Sequence, residues 1–427
     1  MTSDGFAAVK IVSRFGRLDL NRQVLSHKQE LGTTHVMPGN QALPAHNGVI
    51  ITRGLQELVC LFSLDLPFDA AQRLMAWHVQ DEALLCSNTY RALVKTHGQI
   101  IRQAEATEVE ALLAQDQWSE VKPHLVPLTE PRRQASWPAE MKEAVALALV
   151  AEQVLPPEGV SLADWERILE VRGSELREPE DLRRLGPKIM EDQILACVDE
   201  VLTRQPQKRR FWELRTAYVA TTEGYRYLSG TGEGLLMQLL VLLLLLGVQD
   251  RRKLLLIADG ARWIRNFFGR YCLHLPHAQM VLDWYHLRKK LYSLGSMICR
   301  GKQAKTYFLS TLGAYLWRGN TQAALAFLQA YRPEAKSEEK LDELINYLRT
   351  RQEAVPNYQE RRKQRLYIGS ALVEKANDLI VARRQKNKGM HWSLETSNSL
   401  AALKTLMLNK SWERYWQQRQ VLTLVSA

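Results

Sequence analysis

The sequence predicts an α/β protein, with a mixed-sheet domain after about residue 188 behind a mostly helical N-terminal region. Three observations carry that prediction. Residues 194–202 (ILACVDEVL), 213–222 (ELRTAYVATT) and 224–230 (GYRYLSG) read as successive strands, the last two close enough for a hairpin. Helix and strand then alternate: an apolar helix from Leu235, a buried strand over 253–260 (KLLLIADG), a helix at ARWIRNFFGRY and a fifth strand over 278–284 (AQMVLDW). Upstream, from Leu55, the apolar period is helical instead. Antiparallel strands followed by alternating helix and strand define a mixed sheet.

The first fifty residues mix short β-like runs with Gly and Pro punctuation (VMPGNQALPAHNG), a β-containing segment to which the sequence assigns no chemistry. Residues 51–104 follow as three amphipathic helices, at GLQELVCLFSL, PFDAAQRLMAWHV and SNTYRALVKTHGQIIRQA. Ser87 or Asn88 is the expected cap of the third, Gly98 is expected to interrupt or close its first turns, and Arg91 and Lys95 share one of its faces. Such helices suit a helix-turn-helix that reads DNA; a plain three-helix bundle with a solvated basic face fits the same pattern. Residues 105–188, rich in Glu, Leu and Arg with several prolines, read as a helical connector or oligomerisation element. The mixed-sheet core is expected over 189–284 and 362–405, split by a helical insertion at 285–361 and followed by a tail at 406–427.

With 57 Lys and Arg against 46 Asp and Glu, the formal net charge is +11 and the pI about 9.4. That excess favours an anionic partner, nucleic acid or membrane surface. The start MTSDGFAAVK has no apolar stretch of signal-peptide length, so export is not expected. The greasiest segment, residues 235–248, contains Gln238 and Gly247 and falls short of the roughly 20 apolar residues of a membrane helix, so it reads as a buried core helix. Five cysteines without a C-x-x-C pair fit a reducing cytoplasm and give no structural zinc site; His274 and His277 lack acidic or Cys partners at metal spacing.

Two acidic residues sit where a buried strand makes a carboxylate costly. Asp199 follows Ala-Cys-Val in the first strand of the core, and Asp259 ends the run Leu-Leu-Leu-Ile-Ala at the carboxyl end of the fourth, where open α/β sheets place ligand sites. Asp before Gly is also a good turn and helix-capping residue. Glu374 lies near the amino end of a helix whose apolar face is Leu372, Val373, Ala376 and Ile380, a place that the helix dipole alone favours for Glu. Taken in order, two strand carboxylates and a late helical one suit two Mg²⁺ or Mn²⁺ ions about 3.5 to 4 Å apart, because hard oxygen ligands select those cations over zinc.

The segments VDEVL, IADGARWI, VLDWYHLRKKL and IGSALVEKANDLIVARRQKNKGMHWS resemble the RNase H-like core of bacterial insertion-sequence transposases of the DDE type, close to the Mutator-like group. The resemblance implies an RNase H-like fold, with Asp199, Asp259 and Glu374 as the metal-binding triad and Asp283 and His286 as the pair of a C/D-x-x-H motif after the fifth strand. It further implies Mg²⁺-dependent cleavage at transposon ends and strand transfer to target DNA, without a covalent protein-DNA intermediate, by a homo-oligomer that synapses two ends. His286 would then donate to the scissile or a flanking phosphate; in the plain structural reading, Asp283 caps a helix and His286 is a polar first-turn residue. Ala371 stands where relatives often have a second Gly, and the N-terminal part lacks the zinc-binding cysteines of some related transposases. A nuclease of the same fold that does not join DNA, and a remnant that only binds DNA, share these features.

Between residues 361 and 390, nine Lys and Arg stand against Glu374 and Asp378. Lys375, Arg383, Arg384, Lys386 and Lys388, with Arg288 and Lys289 after the DWYH run and Arg91 and Lys95 upstream, are the expected DNA contacts, because phosphate contacts supply salt-dependent affinity. Trp263, Trp284 and Trp392 lie near the motifs, where core packing is favoured over stacking on an unpaired base.

Overall fold

The computed structural model describes residues 2–29, 32–36, 45–46, 49–114, 121–128, 187–206, 210–249, 251–386, 389–418 and 424; most of the expected connector lies outside them. Near the amino end, β1 (Thr2–Ser13), β2 (Gly16–Gln29), β3 (Gly32–Val36), β4 (Ala45–His46) and β5 (Val49–Ile51) make one sheet in the order β3-β2-β1-β5-β4. Arg14 and Phe15 turn β1 into β2, and Gly16 takes the positive φ of +113° that side chains rarely adopt. Val12 and Ile51 pack on Leu55 of α1 (Arg53–Ser63), which joins this sheet to the helices that follow.

After α2 (Phe68–Val79) comes α3 (Ser87–Leu113), a helix that runs straight through Gly98. The expected break is absent because the glycine serves another purpose: an added Cβ would lie 2.2 Å from Ser399 Cβ, so its absence lets two helices touch. Neither expected cap acts as one; Cys86 precedes the helix, and Asn88 accepts from Arg91 at 3.2 Å. The first half of α3 packs in the core of α1 and α2, and Val109 and Leu112 of its second half join the core of the central sheet. The boundary expected at residue 104 therefore falls inside a helix.

The central sheet holds β6 (Gln193–Arg204), β7 (Phe211–Ala220), β8 (Tyr225–Gly230), β9 (Lys253–Ala258) and β10 (Ala278–Leu282) in the order β10-β9-β6-β7-β8. β6, β7 and β8 are antiparallel neighbours, whereas β9 and β10 run parallel to β6. The chain is thus a mixed α/β protein, as its strand pattern predicts. Helix α4 (Gly232–Leu245) links β8 to β9 and is apolar almost all round because sheet and α3 enclose it; Gln238 finds its partner in Glu105, at 3.1 Å. Among the described residues no helix is long and apolar enough to cross a membrane.

Helix α5 (Arg262–Phe267) precedes β10, and α6 (Trp284–Ile298), α7 (Lys302–Trp317), α8 (Thr321–Ala330), α9 (Glu338–Arg349) and α10 (Tyr358–Lys363) follow it. Trp284, Trp317 and Tyr358 pack with ring centroids 4.8 to 6.1 Å apart, and the Tyr358 hydroxyl donates to Leu282 O at 2.7 Å, which fastens these helices to the end of β10. The chain then returns to the sheet as α11 (Ala371–Asn377), followed by a π-helical turn over Asp378–Ala382. α12 (Leu394–Leu408) lies along α3, and α13 (Trp412–Gln418) sends Tyr415 and Trp416 into the core of α1 and α2, so part of the expected tail is packed helix.

Candidate active site

Strand register brings the carboxylates level. β6 pairs with β9 as far as Cys197↔Ile257, and β10 ends with Leu282 beside Ala258. Asp199, within β6, and Asp259, just past β9, lie two residues beyond the first pair, and Asp283 follows Leu282 at the end of β10, so continuing the register puts the three acids at one level of the sheet. The parallel strands end here, while β6 continues in its pairing with β7, where Asp199 faces Thr216.

Each acid at this level has different surroundings. Burial first, and then the charge of Asp259, push the Asp199 carboxyl up to about 6. Asn377 Nδ2 donates to its Oδ2 at 2.7 Å. Asp259 Oδ1 accepts from Ala261 N at 2.8 Å, closing a turn in which Gly260 takes a φ of +76°. Arg351, just beyond α9, reaches this turn: its Nε and Nη2 donate to Gly260 O at 3.1 and 2.8 Å, and its guanidinium lies 4.1 Å from the centre of the Tyr347 ring.

Asp283 is buried and saturated with donors. Its Oδ1 accepts from Tyr285 N and His286 N at 2.6 and 3.0 Å, and its Oδ2 accepts from Ser370 N at 2.5 Å and from Ser370 Oγ. Burial acts to raise its pKa, but His286 and these bonds outweigh it and hold the carboxyl below its ordinary value. Asp283 therefore caps α6 and ties to it the turn that leads into α11. Gly369 is required in that turn, since a Cβ there would lie 2.6 Å from the Tyr285 ring.

His286 Nδ1 lies 3.3 Å from Asp283 Oδ2 and 3.8 Å from Glu374 Oε1. The Glu374 contact is beyond hydrogen-bond length, so the nearer Asp283 carboxylate is what holds the ring. Asp283 is the main cause that raises His286 to about 9 against the effect of burial, with Glu374 and Asp199 adding, so the ring is an imidazolium at neutral pH. Glu374 occupies the first turn of α11 with its side chain 54% exposed, while Val373, Ala376 and Asn377 face inward.

Among the described residues, Asp283, His286 and Glu374 form the group whose ligand atoms all lie within 4.8 Å of one another. Asp283 in that trio already accepts from three backbone donors and the Ser370 hydroxyl, and His286 lies between it and Glu374. The expected triad is not gathered in this way: Asp199 and Asp259 stand on neighbouring strand ends, and Glu374 comes within 3.8 Å of His286, whose charge also acts on Asp199. The triad's donor set is of the kind that suits a hard divalent cation, since all three residues are carboxylates.

Of the expected DNA contacts, Lys289 and Lys386 are exposed, and Arg288 lies 5.9 Å from the centre of the Tyr292 ring. Lys375 and Arg383 both reach Asp378, at 3.3 and 2.9 Å, which reduces the surplus charge beside Glu374. Arg384 is corrected by the structure: it is 5% exposed, lies between the Phe68 and Trp392 rings, and donates from Nε to Ser63 O at 2.9 Å, because its side of the helix faces α1 and α2. Lys95 pairs with Glu395 of α12 at 2.5 Å, and Arg91 lies over the Phe68 ring at 5.6 Å, so part of the basic face of α3 is turned to the chain itself. Lys388 lies outside the described residues. Trp284 and Trp392 are buried in the core, and the Trp263 indole donates to Glu200 at 2.7 Å.

Asn377, Thr216 and Arg351 were not among the expected site residues. The place of Asn377 one turn after Glu374 was a visible signal, whereas Arg351 meets Gly260 from 91 residues away and leaves none. No family model and no curated protein matches this chain.

Proposed function

We propose that the chain is an RNase H-like DDE transposase that cleaves DNA at transposon ends and transfers the freed 3′-hydroxyl to target DNA. The observation that carries this reading is the register that levels Asp199 with Asp259, with Glu374 within 3.8 Å of His286. The strand order supports it too, since the first strand of the core lies between the second and the fourth and the helical insertion falls between the fifth strand and Glu374.

In this reading Asp199, Asp259 and Glu374 would hold two Mg²⁺ or Mn²⁺ ions, which would supply activation of the attacking hydroxyl and stabilisation of the leaving oxygen. The protein's own groups do the rest. His286 keeps its proton through Asp283 and presents a charged N–H side to a phosphate. Asp283 holds both the imidazolium and the turn before Glu374, so one buried carboxylate sets the relation of α6 to α11. Lys289 and Lys386 contact flanking phosphates and hold the backbone in register. The test uses purified protein, end-containing DNA and Mg²⁺: Asp259→Asn and Glu374→Gln abolish cleavage and joining while DNA binding persists. Cleavage that survives either change refutes the assignment.

A further inference from the structure

We propose that Asn377 is a positioning residue for Asp199, an inference that rests on the two-cation reading given above. Asn377 lies one turn beyond Glu374 on α11 and is 9% exposed, so the same short helix supplies an exposed carboxylate and a buried carboxamide. The carboxamide is held at both ends. Thr216 Oγ1 donates to Asn377 Oδ1 at 2.5 Å, and Asn377 Nδ2 donates to Asp199 Oδ2 at 2.7 Å.

Strand pairing makes this relay possible. Asp199 and Thr216 are direct partners across β6 and β7, so both side chains leave the same face of the sheet, and α11 lays Asn377 over them. The two partners also fix which way the amide faces. Turned over, its oxygen would meet a carboxylate, acceptor against acceptor, in a place where Thr216 is fully buried. With Oδ2 of Asp199 held by the amide, rotation of the carboxylate is restricted, which would limit the directions from which it can meet a cation. Groups that orient a metal ligand in this way typically contribute about 10- to 100-fold in metal affinity.

The probe is Mn²⁺ alone, titrated calorimetrically into the full chain without DNA, with metal-free melting recorded for each variant to establish that it folds. Thr216→Val keeps the branched shape and removes the hydroxyl, Thr216→Ser keeps the hydroxyl, and Asn377→Ala removes the donor. Mn²⁺ affinity falls at least about tenfold in Thr216→Val and Asn377→Ala and stays within about threefold of the parent in Thr216→Ser. Unchanged affinity in Thr216→Val and Asn377→Ala, or equal weakening in both Thr216 variants, overturns the proposal. Asp199→Asn in the same titration separates this failure from failure of the underlying reading. If Asp199→Asn alone loses Mn²⁺, the two-cation reading stands and the positioning role falls. If it binds as the parent does, or the parent takes up no Mn²⁺, both fall.

Discussion

Gly98→Ala measures how firmly α3 is joined to α12. In an open helix interior this change stabilises by about 1 kcal/mol, because Ala is the better helix former. At Gly98 the new Cβ would lie 2.2 Å from Ser399 Cβ, 2.4 Å from Ser399 Cα and 2.6 Å from Ser399 Oγ, and a backbone atom cannot rotate aside. The helices must then move apart, and overpacking of this kind costs about 1 to 3 kcal/mol, more where backbone shifts. Separation also strains Arg102, one turn along α3, which donates to Asn398 Oδ1 at 3.1 Å and Ser229 Oγ at 3.0 Å. The clash outweighs the propensity gain, and the expected outcome is a net loss of about 2 kcal/mol. Gly313→Ala on α7, where nothing lies within 4 Å of an added Cβ, is expected to gain up to about 1 kcal/mol instead. Urea unfolding of the two variants and the parent at one pH reads both values. A Gly98→Ala protein as stable as the parent would refute the steric reasoning, and so would equal losses at the two positions.

The other predictions concern acid stability, charge and the Asp259 turn. His97 is held at about 4 by burial, with Arg53 adding, and as a neutral ring it accepts from the Tyr415 hydroxyl at 2.6 Å and donates to Gln56 Oε1 at 2.9 Å. Its folded pKa lies below the ordinary 6.5, so its contribution is complete above pH 6.5 and is lost as pH falls through about 4, a change on the order of 3 kcal/mol; His97→Gln is expected to flatten the unfolding free energy over that window. Arg384→Met is expected to destabilise by about 1 to 3 kcal/mol, through the orphaned Ser63 carbonyl and the lost aromatic contacts, and, on the proposed function, to leave the salt dependence of DNA binding unchanged. Lys289→Ala and Lys386→Ala, in contrast, are each expected to reduce that salt slope by about one; a slope changed by Arg384→Met and not by the lysines would reverse the assignment. Arg351→Ala releases the Gly260 carbonyl; on the proposed function, cleavage is expected to fall about a hundredfold with end binding intact, as measured by single-turnover cleavage beside a binding titration.

Much of the core was legible because its signals are local. Apolar runs at strand and helix periods place β6 to β10 and α4, and the clustered apolar residues of the last strands announce burial on both faces. Asp199, Asp259, Asp283, His286 and Glu374 stand out for the same reason, each being a polar residue at a marked place in a periodic segment. What Gly98 does was not legible, since a glycine in a helix reads as a break unless the opposing helix is known. Nor was the inward turn of Arg384, because a charge run carries no mark of which members face Phe68 and Trp392.

The sequence by itself therefore determined the class of fold, the order of its elements and the acidic residues of the candidate site. Only the tertiary structure decided that Asp199, Asp259 and Asp283 stand at one level of the sheet, that His286 stands between two carboxylates, and that Thr216 and Asn377 complete a relay to Asp199. The physical reason is one of range. Periodicity and capping act over a few residues of chain, whereas register, close approach and the sharing of a buried carboxylate depend on how distant segments pack, and no short stretch contains that information.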